Sequence, residues 1–223
     1  MVDELNAKPL PDEKQRPNYV LGVTSHAKGF DSPFQVTQTG PAAASFGAVP
    51  RGGPSDDQTS TSERARDNLI ELLCQSPRLN ARSYSFVDIF QAQLEKLAVN
   101  AFCNPLCGLH QAKNKFLLAL PSTRRAIVSE ICTVVLAMPE LQGVPKVAER
   151  FGVERLENTV EDVLKKTAET TCSMVWDLKA DRRTEVDFIN GYWFCKGKEL
   201  GIATSINDIL LDLVKVRENE VPP

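Results

Sequence analysis

Polar side chains recur at intervals of four residues within an otherwise apolar stretch near the middle of the chain. They are Lys96, Asn100 and Asn104, and we call them the polar stripe. On an α-helix this spacing stacks the three side chains along one face. An ammonium donates protons, whereas an Asn amide donates and accepts hydrogen bonds without adding charge. Because an unpaired buried amide costs roughly 2–7 kcal/mol, the stripe must face polar partners, water or a ligand.

From these residues alone the polar stripe has two interpretations: a structural network between helices, or a ligand-binding face. Single Asn residues in helices are usually exposed or bonded to a neighbouring carbonyl, which favours the structural interpretation. Pro105 directly follows the stripe, has no backbone N–H, and is predicted to kink the helix beside Asn104. A second polar stretch, later in the chain, favours the ligand-binding face instead.

The same region contains three potential metal ligands. Cys103, Cys107 and His110 lie at positions i, i+4 and i+7, so one helix would bring them together. Pro105 and Gly108 are expected to interrupt that helix, and no fourth ligand is evident in the sequence. We therefore predict no metal site here.

The second polar stretch carries a motif of specific order and spacing. Ser173-Met174 is followed by residues 182–192 (RRTEVDFINGY) and then by residues 197–202 (GKELGI). Together with the polar stripe and the Asn-Pro-Leu at residues 104–106, this pattern resembles the ketopantoate reductase (2-dehydropantoate 2-reductase) family. The resemblance extends from about the start of the chain to about Arg217.

The resemblance implies the NADPH-dependent reduction of 2-dehydropantoate to (R)-pantoate, a step of pantothenate biosynthesis. A ketone that becomes an alkoxide needs a proton or a positive charge at its oxygen, and Lys96 matches the family's general acid. Asn100, Asn104 and Asn114 match positions that bind the hydroxyl, keto and carboxylate oxygens of the substrate. Ser173 matches the residue that holds the substrate carboxylate. Reduction of another branched 2-keto acid is an alternative.

Two further residues match contacts to the cofactor, which the resemblance implies is NADPH. Glu185 matches a residue on the ribose–nicotinamide side, and a carboxylate near the general acid would keep that ammonium protonated. Lys28, in the segment after His26, matches a backbone contact to the cofactor. The chain departs from the family at residues 114–115, where it has Asn-Lys and the family usually has Asn-Gly.

The fold implied by the resemblance is a Rossmann domain followed by a helical domain, with the active site in the cleft between them. However, the chain contains no Gly-x-Gly-x-x-Gly, the loop that holds a dinucleotide pyrophosphate at a helix N-terminus. We expect residues 1–86 to be the C-terminal remnant of a Rossmann domain, with a mobile loop at 51–63. Residues 87–223 are expected to form the helical substrate and dimerisation domain. The predicted fold class is therefore mainly α, with a partial α/β remnant of a few strands and one helix.

The missing glycine-rich unit leaves two classes of function open. The first is an NADPH-dependent 2-keto acid reductase, of which this chain is most of the substrate-binding half. The second is a non-catalytic homologue whose helical domain forms a homodimer or binds a protein partner. An in-frame glycine-rich unit upstream of Met1 would favour the first class.

Local patterns predict the elements that position these residues. Alternating and β-branched stretches predict strands at residues 19–25, 34–39, 44–49 and 82–86, and a helix at 63–74 capped by Thr61 or Ser62. From residue 87 the pattern is helical, including one long helix whose face runs from residue 160 to 178. Thr184 with Asp187, and Ser205 with Asp208, are predicted capping boxes, and Gly201 is a predicted C-terminal cap.

Composition restricts the remaining classes of function. The chain has 223 residues, a formal net charge of −3 and no basic block, so binding to nucleic acid or to a membrane surface has no support. The most apolar run, residues 127–138, is short and contains a serine and a glutamate, which excludes a membrane span there. Six cysteines without a Cys-x-x-Cys pair favour free thiols in a reducing compartment, the cytoplasm, with the mitochondrion as the alternative.

Overall fold

The computed structural model describes residues 17–25, 27–32, 35–40, 42–50 and 61–219. The predictions that concern residues 1–16 and 51–60 lie outside these ranges. The chain divides into two compact units, with the boundary between Gln93 and Leu94. The fold class is mainly α, as predicted, with a small α/β portion before the helical part.

The first unit contains short strands in two sheets. In the larger sheet, β1 (Val20–Thr24) pairs antiparallel with β4 (Ala44–Ala48), and β4 pairs in parallel with β5 (Ala81–Ser83). The smaller sheet is the antiparallel pair β2 (Ala27–Ser32) and β3 (Gln35–Gly40). Helix α1 (Thr61–Cys74) connects β4 to β5. A helix that links two parallel strands is the repeating unit of Rossmann-type sheets, and this one βαβ unit is the α/β portion that the sequence predicts.

The second unit is built from helices among its described residues. They are the C-terminal part of α2 (Phe86–His110), then α3 (Pro121–Ala137), α4 (Val147–Arg150), α5 (Val153–Lys166), α6 (Ser173–Lys179), α7 (Val186–Leu200) and α8 (Ser205–Asn219), with 3-10 turns at Asn114–Ala119 and Pro139–Leu141. The core gathers fully buried side chains from four of these helices and a connecting turn: Phe102, Ile131, Phe151, Leu156 and Trp193.

Helices α7 and α8 form a tight hairpin whose turn depends on two glycines. Gly201 adopts φ +69° and ends α7, and the Ile202 N–H donates to the Gly197 carbonyl at 2.8 Å, which confirms the predicted C-terminal cap. A Cβ on Gly197 would lie 2.7 Å from Thr204 Cγ2 and 2.8 Å from the Ile202 carbonyl oxygen. The close approach of the two helices therefore requires glycine at position 197.

The start of α8 is capped from another helix rather than locally. The Ile206 and Asn207 backbone N–H groups donate to the two carboxylate oxygens of Glu130, on α3, at 2.8 and 3.1 Å. The predicted capping box of Ser205 with Asp208 is wrong, because Ser205 is already the first residue of the helix. A carboxylate at a helix N-terminus also interacts favourably with the helix dipole.

Two other predictions about helix boundaries are wrong. The long helix predicted across residues 160–178 is divided into α5 and α6, which residues 167–172 separate. The capping box of Thr184 with Asp187 does not form, because α7 begins at Val186 and Glu185 is its N-cap residue. The Thr184 N–H donates instead to Glu218 at 2.6 Å.

The strand predictions are confirmed within one or two residues where the structure describes them. The exception is the last strand: β5 ends at Ser83, and Phe86, predicted to end the strand, begins α2. Helix α1 begins at Thr61, so the C-terminal end of the predicted loop at 51–63 is helical. Within the described part of the chain, no helix is long and apolar enough to cross a membrane.

Candidate functional site

The polar stripe lies on α2 and runs from the surface into the core. Lys96 is exposed, Asn100 is half-buried, and Asn104 is only 6% exposed. Successive stripe residues are four positions apart, so they lie on adjacent turns, about 6 Å along the helix axis. A ligand on this face would meet the ammonium at the open end and the amides towards the buried end.

Helix α2 continues through Pro105 and Gly108 to His110, so the prediction that these residues interrupt it is wrong. Pro105 has no N–H to donate to the carbonyl four residues earlier, that of Ala101. The side chain of Asn190, on α7, takes that place: its Nδ2 donates to the Ala101 oxygen at 3.0 Å. A side chain from a neighbouring helix therefore fills the gap that the proline leaves in the backbone ladder.

Asn190 belongs to a buried network that joins four helices. Its Nδ2 also donates to Asn207 Oδ1 at 3.1 Å, and Asn207 Nδ2 donates to Glu130 at 2.9 Å. Both asparagines are fully buried. Because the Glu130 carboxylate only accepts hydrogen bonds, it orients the Asn207 amide, and Asn207 in turn orients that of Asn190. The network missed by the sequence analysis thus begins beside the polar stripe, at Ala101.

Ser173 lies next to the buried end of the stripe. The thiol of Cys172, the preceding residue, donates to the Asn104 carbonyl with a separation of 3.8 Å. Met174, the following residue, packs on Gly108, where an added Cβ would lie 3.1 Å from Met174 Cγ. Contacts on both sides of Ser173 therefore hold it against the C-terminal half of α2, with its own side chain exposed.

Asn114 is buried and holds the segment that leads to Ser173. Its Nδ2 donates to Thr167 Oγ1 at 2.9 Å, and its backbone N–H donates to the Thr170 carbonyl at 3.0 Å. Its Oδ1 accepts from the Cys107 thiol, at 3.7 Å. One amide hydrogen and one oxygen lone pair remain for a ligand, and the bonds in place make Asn114 a brace for residues 167–172.

Lys115, where the family usually has glycine, strengthens the same brace. Its backbone N–H donates to the Ala168 carbonyl at 2.9 Å, and its ammonium pairs with Glu169 at 3.0 Å. Lys113 pairs with the same carboxylate at 2.9 Å. The two ammonium groups lower the pKa of Glu169, with the hydrogen bond from Lys113 as the largest cause.

Three cysteines surround the junction between α2 and α6, and their thiols differ in acidity. A hydrogen bond from Cys107 is the largest cause that lowers the pKa of Cys172, and backbone N–H groups contribute. The same hydrogen bond and burial raise the pKa of Cys107, while burial raises that of Cys103 to about 12. Cys172 is therefore the cysteine of this group whose pKa is lowered, and its sulfur contacts the Asn104 carbonyl.

The two residues matched to cofactor contacts lie in different parts of the chain. Glu185 is the exposed N-cap residue of α7, five positions before Asn190, which is about 7.5 Å along the helix axis. Lys28 lies on β2, and its side chain is outside the described part of the structure. The structure thus places Asn114 and Ser173 beside the C-terminal half of α2, which carries Asn104, and Asn100 lies one turn earlier on the same helix.

Among the residues that the structure describes, no group of three or more His, Cys, Asp or Glu side chains is arranged to hold a metal ion. Cys107 instead bonds to Asn114, and His110 Nδ1 lies 3.0 Å from the Leu106 carbonyl. Sequence reasoning missed the roles of Asn190, Asn207 and Glu130. A proline inside an amphipathic helix was the available signal, because it requires some donor for the carbonyl four residues earlier.

Comparison with known proteins places the helical unit in a family. The family described as ketopantoate reductase PanE/ApbA C terminal matches residues 88–218, more than half of the chain. A 2-dehydropantoate 2-reductase of Yersinia pestis is 32% identical over 133 residues, which cover 60% of this chain and 41% of the relative. One of Pyrobaculum aerophilum is 37% identical over 158 residues, which cover 70% and 52%. The chain thus spans about half the length of these relatives.

Solved structures share the fold. A probable 2-dehydropantoate 2-reductase of Bacillus subtilis is 23% identical with a TM-score of 0.69, and the match covers 97% of this chain and 65% of that one. A D-mandelate dehydrogenase in complex with NADH is 24% identical with a TM-score of 0.69, covering 91% and 64%. These similarities show a common architecture.

Proposed function

This chain belongs to the ketopantoate reductase PanE/ApbA C-terminal family, and we propose that it carries the substrate-binding half of an NADPH-dependent 2-dehydropantoate 2-reductase. In this proposal residues 87–223 are the substrate domain and residues 1–86 the end of a cofactor domain. The observation that carries the proposal is the 3.8 Å contact between Cys172 and the Asn104 carbonyl. That contact supports placing Ser173, the proposed carboxylate ligand, beside the proposed amide ligands of α2.

The chemistry assigned to these residues follows from their donor groups. The Lys96 ammonium gives its proton to the keto oxygen as the carbonyl becomes an alcohol. Asn100 and Asn104 donate to the keto and hydroxyl oxygens and fix the orientation of the substrate. Ser173 donates to the carboxylate. The stripe carries no negative charge, which suits an anionic 2-keto acid.

The nicotinamide cofactor would supply the hydride that reduces the keto carbon. The residues present fit only part of that cofactor. Glu185 is exposed at the start of α7, where a carboxylate can accept a hydrogen bond from a ribose hydroxyl. The glycine-rich loop that binds a pyrophosphate is not in this sequence. Gly47, on β4, does not leave room for a phosphate on its Cα side either, because the Ile89 side chain occupies the space that a Cβ would take.

Substrate binding can be tested on residues 1–223 directly. Calorimetric titration with 2-dehydropantoate is expected to give saturable binding that Ser173→Ala weakens by about 1–3 kcal/mol, since a charge-assisted hydrogen bond is lost. Asn104→Ala should also weaken it, whereas Asn158→Ala, at an exposed position on α5, is the matched control. Equal affinity in parent and Ser173→Ala would remove Ser173 from the site.

Two further measurements separate binding from catalysis. In a form supplied with a complete cofactor domain, Lys96→Ala is expected to reduce turnover by about 10²–10⁴-fold, and Lys166→Ala, an exposed lysine of α5, should not. Residues 1–223 alone are expected to show no saturable NADPH binding up to millimolar concentration. Micromolar binding by this chain would show that a pyrophosphate site exists without the glycine-rich loop.

A second candidate function, a homodimerisation domain, is favoured by an apolar surface on α7 and α8. Phe188 is 74% exposed, and Ile209, Leu213 and Val216 are exposed along one face of α8 at helical spacing. A solved ketopantoate reductase of Staphylococcus aureus with this fold is described as dimeric. Sedimentation should give a dimer that Phe188→Ser dissociates, and a parent monomer at high concentration would exclude this candidate.

A further inference from the structure

The bond between Asn190 and Ala101 is unusual because it replaces a missing backbone bond. Position 105 is the residue whose N–H would normally reach the Ala101 carbonyl, and proline removes that donor. Ala101 is fully buried, so water does not reach its carbonyl from outside. The Asn190 amide, at 3.0 Å, is the donor that the described structure provides.

The orientation of the Asn190 amide follows from its neighbours. Ala101 and Asn207 both present oxygen acceptors, so Nδ2 faces them, and Oδ1 has no partner among the described residues. Asn207 is held in turn by Glu130, which also caps α8. The orientation of the Asn190 amide is thus fixed by a chain of hydrogen bonds that ends at the Glu130 carboxylate.

We propose that Asn190 is a positioning residue for the polar stripe. Its side chain donates to the Ala101 carbonyl, which Pro105 leaves without a backbone donor, and thereby fixes the backbone of α2 between Asn100 and Asn104. Ala101 lies directly after Asn100 and one turn before Pro105, so the bond acts between the two amides of the stripe. A functional effect on substrate rests on the function proposed above. The hydrogen-bond replacement itself does not depend on that function.

The pairing of Pro105 with Asn190 gives a double-mutant cycle. Asn190→Ala leaves the Ala101 carbonyl unsatisfied, and the equilibrium constant for unfolding in urea is expected to rise by about tenfold or more. Pro105→Ala returns an N–H to the ladder, so in that background Asn190→Ala should raise the constant by only about threefold. The lost bond to Asn207 is common to both backgrounds and cancels in the cycle.

Two controls make the cycle specific. Asn190→Asp keeps the shape but places a carboxylate against two acceptors, and it should destabilise the chain more than Asn190→Ala does. Val214→Ala, at a fully buried position of α8 outside the network, provides comparable destabilisation without touching Ala101. If Asn190→Ala alone does not fold and the double variant does, the proposal is supported; if neither folds, it is overturned.

Positioning is read from the amide side chains of the stripe. In spectra of asparagine-labelled protein, the Asn100 and Asn104 side-chain signals should shift in Asn190→Ala, return in the double variant, and stay in place in Val214→Ala. Affinity for 2-dehydropantoate should follow the same order. If the parent does not bind this acid, the proposed function fails while the cycle and the spectra still decide the role of Asn190. If Asn190→Ala raises the unfolding constant equally in the parent and in Pro105→Ala, the proposed role of Asn190 is overturned.

Discussion

The two units of the chain differ in the interactions that join their helices and strands. In the helical unit, bonds between distant residues join the helices: Glu130 caps α8, and Asn190 serves α2. In the first unit, the parallel strand β5 has three residues, and α1 exposes Leu69 and Leu72 at 49% and 65%. Buried side-chain hydrogen bonds therefore connect the helices of the second unit, whereas the larger sheet of the first unit rests on short strand pairs. Both units also expose apolar side chains, among them Phe188 in the helical unit.

Glu130→Ala is expected to have the largest effect on the stability of the helical unit. It removes the carboxylate that accepts from Ile206, Asn207 and the Asn207 side chain, so helical-unit stability should fall by about 3 kcal/mol or more. Hydrogen exchange should accelerate across residues 94–219 more than across residues 61–93. Leu72→Ser, at an exposed position of α1, is the control and should leave exchange in the helical unit unchanged. Uniform acceleration of both units would contradict the comparison.

Two glycines in α7, at positions 191 and 197, test whether close packing in the helical unit requires the absence of a side chain. Gly197→Ala should destabilise by about 1–3 kcal/mol, because its Cβ would overlap Thr204 and the Ile202 carbonyl. Gly191→Ala has its nearest neighbour at 3.5 Å and should be neutral or stabilise by up to about 1 kcal/mol through helix propensity. Thermal unfolding of the two variants measures the difference, and equal midpoints would refute the packing argument.

The thiols at the junction of α2 and α6 give a prediction that depends on pH. The hydrogen bond from Cys107 lowers the pKa of Cys172, so Cys172 should react with iodoacetamide at a lower pH than a thiol with the ordinary value of 9.0. Cys103, with a pKa raised to about 12, should stay unmodified over the same range. Peptide mass spectrometry follows each site, with Cys172→Ser as the control. Faster labelling of Cys103 than of Cys172 would contradict the assignment.

The smallest expected effect concerns the end of the helical unit. Hydrogen bonds from Lys215, chiefly, and from Arg183 lower the pKa of Asp187. A lowered folded pKa stabilises the protein above the ordinary value of 3.8, and this stabilisation is lost as the pH falls through the folded pKa. Asp187→Asn should therefore cost about 0.5 kcal/mol at pH 7 and nothing near pH 2, since these partners are partly exposed. A cost that persists at pH 2 would point to a packing effect instead.

The sequence predicted the elements where local pattern decides them. The strands at 44–48 and 20–24 and the glycine cap at Gly201 follow from residue type and alternation, and the family follows from an ordered motif. Sequence-based prediction failed where contacts between distant residues determine the local structure. The first N–H groups of α8, for example, are capped by Glu130, which lies 76 positions before Ile206. Likewise, Pro105 was expected to interrupt α2, but the helix continues, and a side chain 89 positions from Ala101 donates to the carbonyl that the proline leaves without a backbone donor.

The site was predicted in part for the same reason. The four-residue spacing places Lys96, Asn100 and Asn104 on one helix face, and α2 confirms that arrangement. The spacing does not reveal that the stripe passes from exposed to buried, or that Asn114 already bonds Thr167 and Cys107. Burial and partner choice are tertiary properties, so roles carried over from the family stay predictions until the binding experiments are done.

The cap on α8 has a consequence for the time at which the protein forms. Domains fold as the ribosome delivers them, N-terminal parts first, at about 5–20 residues per second. Glu130 is synthesised 76 residues before Ile206, the first N–H that it caps. For roughly 4–15 s at that rate, a carboxylate that belongs among the helices has no helix end to bind. During that interval water solvates the carboxylate that later caps the last helix of the unit.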